Sequence, residues 1–302
     1  ERDKRKEEQE AKWNKADQEY EDGNFEKALV LYTEIISTGT LRWLDQELFT
    51  AVRQRQRDCA LGIAERFSRD GDHVHAVKWY CTTLFDHAEN MSRESIVGIR
   101  YSRDRNILEH LRVSSDPESC ASLHASIHHL SELQRPPCVD AQTWAAWKKK
   151  DKTVLAQILE ARMEQVRDTN AAKSGSPTLL AGFGKYESAL KACDKANAGK
   201  FAAMDDAVDF MIEILLWMAE ACQVIAGNGH SEACITACKK AIDHVDAAIK
   251  LLPSYGIKHF RKEICSGLKS ALESQLQEQI QEREREAAEA QEVERVLEEQ
   301  RK

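Results

Sequence analysis

Two short runs place soft metal ligands along one helix face. His230, Cys234 and Cys238 recur every fourth residue, and Cys120, His124 and His128 repeat that interval with His129 beside them. Imidazole nitrogen and thiolate sulfur suit zinc, so a zinc-dependent helical protein is one reading. The spacing argues against it. Three ligands spread over two helical turns, about 12 Å, cannot reach one ion unless another helix contributes. Packing is the better reading, because cysteine is also a small apolar residue.

Other candidate chemistry is sparse. His73 and His75 flank a turn in GDHVH and read as solvated turn histidines. Gly182-Phe183-Gly184-Lys185 is glycine-rich without phosphate-loop spacing, and the sequence holds no GxSxG, HExxH or GxGxxG motif. Asp205-Asp206 stands at an apparent helix start, where negative charge complements the dipole. The chain is therefore expected not to be an enzyme, with no catalytic residue, metal or cofactor. Aromatic residues are the stronger functional signal: Trp144 and Trp147 beside Lys148-Lys149-Lys150, and Trp79-Tyr80. Core packing accounts for most of them, and a groove lining for the remainder.

These residues are carried by helices. Arg42–Arg69 reads as one long helix with Leu44, Leu48, Val52, Cys59, Ile63 and Phe67 on a stripe, ended by Asp70-Gly71-Asp72. Ser92–Val113 presents Ile96, Ile99, Ile107, Leu108 and Leu111. Ser115-Asp116-Pro117-Glu118 starts a helix running to about Leu133, stopped by Arg135-Pro136-Pro137. Val139–Lys150 and Asp151–Asn170 follow, then a loop at AAKSGSP, residues 171–177. Phe201–Ala226 is the most apolar helix. Tyr255–Lys302 is one long helix with a stripe at Ile264, Leu268, Leu272, Leu276 and Ile280, after which charge dominates.

The organising stretch is Ala16–Ile36, ADQEYEDGNFEKALVLYTEII. A helix ends near Glu21, Asp22-Gly23-Asn24 turns, and a second helix starts at Phe25. Phe25, Ala28, Tyr32 and Ile35 then stand at fixed offsets from the glycine, and Gly71, Ala76 and Tyr80 repeat the order. Gly184 with Tyr186, Ala189, Cys193 and Ala196, and Gly229 with Ser231, Cys234, Cys238 and Ala241, offer two weaker copies. This order resembles the tetratricopeptide repeat, although Gly23 and Gly71 lie further apart than its usual period of about 34 residues. The resemblance implies an all-α, right-handed solenoid of antiparallel helix pairs, with long charged helices at both ends.

The expected organisation is a charged N-terminal extension over residues 1–15 and N-terminal repeats over 16–135. Intermediate helices over 138–172, a second repeat half over 173–274 and a charged C-terminal helix over 275–302 complete it. Opening on Glu1 and closing within a charged helix is expected of a fragment or processed form.

The resemblance also implies function: a non-catalytic scaffold or adaptor docking a partner protein's segment in a groove. By offset in the first repeat, the groove residues are Asp17, Tyr20, Asn24 and Arg55. Chaperone-binding members of that family hold a carboxylate in a lysine–asparagine–arginine clamp. Here Trp13, Asp17 and Gly62 stand where the clamp needs lysine and asparagines, so a co-chaperone role is a weaker alternative. A second alternative is a structural subunit joined to a larger assembly through its two charged terminal helices, with self-association through the C-terminal one.

Composition is consistent with these expectations. A formal net charge of -8 disfavours a nucleic-acid partner. No apolar run reaches the roughly 18 residues of a membrane span; the best candidate, Phe210–Ala226, contains Glu213, Glu220 and Gln223. Nine cysteines without a CxxC pair read as reduced thiols, which places the chain in the cytoplasm.

Overall fold

The computed structural model describes residues 2–37, 46–114, 116–130, 132–173, 183–195, 207–227, 229–252 and 259–301. Every regular element among them is helical: α1 (Arg2–Glu21), α2 (Phe25–Ser37), α3 (Gln46–Arg69), α4 (His73–His87), α5 (Arg93–Val113), α6 (Pro117–Leu130), α7 (Ala141–Lys149), α8 (Ala156–Lys173), α9 (Phe183–Lys195), α10 (Ala207–Ala226), α11 (Glu232–Leu251) and α12 (His259–Arg301). A 3-10 turn, Ala88–Asn90, follows α4, and a π-helical turn, Lys150–Leu155, joins α7 to α8. The protein is all-α over these residues. The expected closing turn at Thr38–Thr40, the start of the helix at Arg42, most of the AAKSGSP loop, Ala196, Asp205-Asp206 and Tyr255 lie outside the described residues.

Two turns follow one design. Gly23 and Gly71 adopt φ of +75° and +80°, a region open to glycine. In the first turn Asp22, Gly23 and Asn24 donate their amides to the carbonyls of Gln18, Tyr20 and Glu19. In the second Asp70, Gly71 and Asp72 donate to those of Arg66, Ser68 and Phe67. These are equivalent bonds, and they satisfy carbonyls that a helix end leaves open. The next helix then starts alike, with Ala28 N–H on the Asn24 carbonyl and Ala76 N–H on that of Asp72, each at 3.0 Å.

The chain separates into two compact units, residues 1–114 with 118–155 and residues 115–117 with 156–302. That division falls at the end of the π-helical turn, whereas the sequence placed its preferred boundary in the loop after residue 170.

In the first unit, α1 packs on α2, α2 on α3, α3 on α4 and α4 on α5. Ala28 and Ala76 are wholly buried, which lets neighbouring helices approach, and Tyr32 and Tyr80 fill the space beside them. Trp13 closes the outer end of this core, its ring edge-on to Tyr32 at 5.6 Å.

In the second unit α8, α9 and α10 contact one another, α11 packs on α10, and α12 packs on α11. Here the sequence expectation needs correction. Gly184 is the second residue of α9, not a turn before it. The left-handed glycine before α11 is Gly227, φ +49°, rather than Gly229, and Ser231 caps α11 by accepting the Cys234 amide. On α12 the inward line begins at Cys265; Ile264, expected to start it, is 50% exposed. Helix α6 also stops at Leu130, three residues short of expectation.

Candidate functional site

Three of the four groove residues expected from sequence come together. Arg55 on α3 reaches across to α1, its Nε 3.4 Å from Asp17 Oδ1 and its guanidinium carbon 4.5 Å from the Tyr20 ring centroid. The Tyr32 hydroxyl donates to the same Asp17 oxygen at 2.5 Å. Burial, then the Asp17 carboxylate, pushes the Tyr32 hydroxyl pKa far up, so it stays a donor. Asn24 stands apart in the turn, exposed, donating to Glu19 Oε2 at 2.8 Å. The cluster therefore satisfies itself: the acid that would repel a bound carboxylate is occupied by Arg55 and Tyr32.

A larger feature lies along α2, α3 and α4. A groove of about 670 Å³ is lined by Leu29 and Thr33 of α2, Arg53 and Gln56 of α3, and Trp79 and Phe85 of α4, with Leu133 and Gln134 at its edge. Gln56 Nε2 donates to Thr33 Oγ1 at 3.0 Å, fixing the floor. The Phe85 ring stacks on His129 with centroids 4.2 Å apart, which holds one wall in place. Arg53 is half-buried. Its one hydrogen bond among the described residues, to Gln56 Oε1, is long at 3.4 Å, and its guanidinium lies 5.6 Å from the Phe49 centroid. No carboxylate lies within ion-pair reach of Arg53 among the described residues. Its neighbours differ: Arg57 is held by Asp58 at 2.9 Å and Arg66 by Glu26. His87 lines the groove too; burial, reinforced by Arg53 and Arg57, lowers its pKa and favours the neutral ring.

A third cluster is wholly internal. Arg100 Nη2 donates to both oxygens of Asp151 at 2.9 Å, and Arg103 bridges Asp151 at 2.8 Å and Asp104 at 2.7 Å. Lys150 pairs with Asp104, and Arg100 lies over the Trp147 ring at 4.9 Å. Burial would raise the Asp104 pKa, but Arg103 and Lys150 outweigh it and hold the carboxyl at about 2. The nearby Cys81 thiol, pushed up to about 12 by burial, stays protonated. The hollow alongside, between Arg100, Trp144 and Leu130, measures about 10 Å³, room for a water at most. The cluster ties α5 to α7 and the π-helical turn, and it leaves no space for a substrate.

The remaining sequence candidates separate. Cys238 is buried and donates to the Leu272 carbonyl, Cys234 lies on the Ser231 hydroxyl, and His230 pairs with Glu286 at 2.7 Å. His73 is half-buried against Asn106, 2.8 Å from its Oδ1, rather than solvated as expected; His75 meets the Asp72 cap and stacks on Phe67. Trp144 and Trp147 are buried in the core.

Sequence reasoning missed Arg53 and the internal cluster. For the cluster a signal existed: Arg100, Arg103 and Asp104 interrupt the α5 stripe between Ile99 and Ile107, charges on a face that must be buried. Arg53 gave none, since its lack of a carboxylate partner among the described residues depends on which side chains α2 and α4 bring near. No protein-family model matches the sequence, and no curated protein matches it.

Proposed function

We propose that the chain is a non-catalytic, tetratricopeptide-like adaptor of the cytoplasm, built as a right-handed array of helix pairs that docks a segment of a partner protein. The observation that carries this reading is the bond-for-bond repetition of the Gly23 and Gly71 turns, followed by the same buried alanine and tyrosine. Units so repeated expose long grooves between helices, and the groove lined by α2, α3 and α4 is open. Burial favours the protonated thiol at Cys59, Cys81 and Cys193, each pushed up to about 12, which suits packing and not nucleophilic chemistry. No helix among the described residues is long and apolar enough to cross a membrane.

The test is affinity capture with the intact chain, beside Leu29→Glu and Phe85→Glu variants that place charge in the groove. Partners lost with either variant, while its melting temperature holds, support the reading. Partners retained by both move the activity elsewhere.

A second reading, a structural subunit, is favoured by exposed Val293, Val296 and Leu297 on the solvated end of α12. These can meet a second copy of the chain. Concentration-dependent dimers in sedimentation, abolished by removing residues 287–302, would support it.

A further inference from the structure

We infer that the apolar end of α12, at Val293, Val296 and Leu297, docks in a groove between α10 and α11 of a second copy of the chain, which returns the same contact. The inference deepens the structural-subunit reading and rests on it.

Helix α12 runs antiparallel to α11. Lys269 meets Asp246 at 2.7 Å, Cys238 donates to the Leu272 carbonyl at 3.3 Å, Arg283 pairs with Glu232, and Glu286 reaches His230 at 2.7 Å. Since α11 begins at Glu232, residues 287–301 run on past its start as an arm of roughly 22 Å, at 1.5 Å per residue. Leu272 and Gln279 are buried against α10 and α11. From Gln279 the same line passes Arg283 and Glu286 to Ala290, Val293 and Leu297, at intervals of four and three. Val293 is 59% exposed and Leu297 49%. An apolar line that outlasts the helices it packs on is suited to a further surface.

The same unit holds a matching surface. Cys222 and Ile225 of α10 and Ala233, Thr236 and Ala237 of α11 line an apolar groove of about 220 Å³. Thr236 and Lys240 lie two positions either side of Cys238, hence on the opposite face of α11 from the one that meets α12. The chain's own arm, an unbroken helix pointing past the start of α11, cannot turn back to that face. A second copy can bring its arm there.

Charge selects this occupant. Lys240 closes one end of the groove and forms no ion pair among the described residues. Glu232, at the other end, is neutralised by Arg283. On the arm, Glu298 and Glu299 stand beside Leu297, exposed and likewise without a cation among the described residues, whereas Arg295 is held by Glu292. Leu297 in the groove therefore brings spare acid to a spare cation. Each copy has one arm and one groove, so two copies satisfy both and the pair closes on itself.

Sedimentation velocity of the full chain over a concentration series tests this. The parent should dimerise, and deletion of residues 287–302 should leave monomers. Thr236→Glu and Lys240→Glu, at exposed positions, should each weaken the dimer about tenfold, since acid then faces acid in both contacts. Adding Glu298→Lys and Glu299→Lys to the Lys240→Glu chain should restore its dimer. Melting temperatures, read at dilution where every variant is monomeric, should match the parent. Dimers lost with residues 287–302 but indifferent to both groove variants would mean that arms pair with one another; that overturns the groove assignment and leaves the structural-subunit reading standing. A parent that stays monomeric, or dimers that survive the deletion, would overturn both.

Discussion

The ring of Phe25 lies directly against Gly62: a Cβ built on that glycine would sit 2.6 Å from both Phe25 Cδ2 and Cε2. The first residue of α2 thus presses on the backbone of α3, and glycine is required there for space, not for an unusual φ. Phe25 is itself fixed edge-on to Tyr20 at 5.7 Å, so its ring has little freedom to retreat. Gly62→Ala should therefore cost about 1–3 kcal/mol by overpacking, seen as a lower midpoint in chemical denaturation. Adding Phe25→Leu should recover part of the loss, whereas additive losses would mean that the ring is not the obstacle.

The repeated alanines set a second expectation. Ala28 and Ala76 are wholly buried at matching places, and Ala28→Leu or Ala76→Leu should each cost roughly 1–3 kcal/mol. Unchanged thermal stability in both variants would count against close helix approach at these positions.

Removing one acid from the internal cluster should be severe. Asp151 accepts from both Arg100 and Arg103, and Asp151→Ala leaves two buried guanidinium groups short of a partner. Breaking a buried pair in this way costs about 3–5 kcal/mol. Denaturant midpoints of the variant and parent would measure it.

The same acids set an acid limit. Asp104 and Asp151 hold folded pKa values below the ordinary 3.8, Asp104 at about 2. A carboxyl lowered on folding contributes fully above its unfolded pKa, and that contribution is lost as pH falls through the folded value. Stability should drop steeply from about pH 4 toward pH 2. A milder loss should begin below pH 6.5, because folding lowers the pKa of His87 and His244, chiefly through burial. Their neutral burial is fully favourable only above that value, and His87→Gln should flatten this upper part of the thermal stability profile.

Helix α12 divides at its middle. Gln275 Nε2 donates to the Gly227 carbonyl at 2.7 Å, satisfying the backbone where α10 ends. Gln275→Ala should cost about 0.5–1.5 kcal/mol. The described side chains beyond Glu286 are all exposed, so deleting residues 287–302 should change the melting temperature of the monomer hardly at all. A large drop would place an unrecognised contact on that end.

How much was legible in the sequence follows from how local each cause is. The turn at Gly23, the helix starts near Ser92 and Pro117, and the burial of Ile96, Ile107 and Leu111 depend on residues within a turn or two of one another. These are as expected. Gly184 and Gly229 misled because a glycine in sequence does not say whether its φ is positive: Gly184 lies inside α9, and after α10 ends at Ala226, as expected, it is Gly227 that takes the left-handed conformation. Ile264 misled because adjacent Ile264 and Cys265 both fit a stripe, and only packing against α11 selects the smaller residue.

The sequence by itself determined the helices, most of their ends and the repeated turn of the first unit, because propensity, capping and apolar period act along the chain. Tertiary structure alone decided which charges meet. Asp17 is satisfied by Tyr32 and Arg55, Asp151 by two arginines some fifty positions earlier, and Arg53 by no carboxylate among the described residues. Those outcomes depend on distances across helices, and an ionic interaction falls off with separation in space, whatever the separation in sequence.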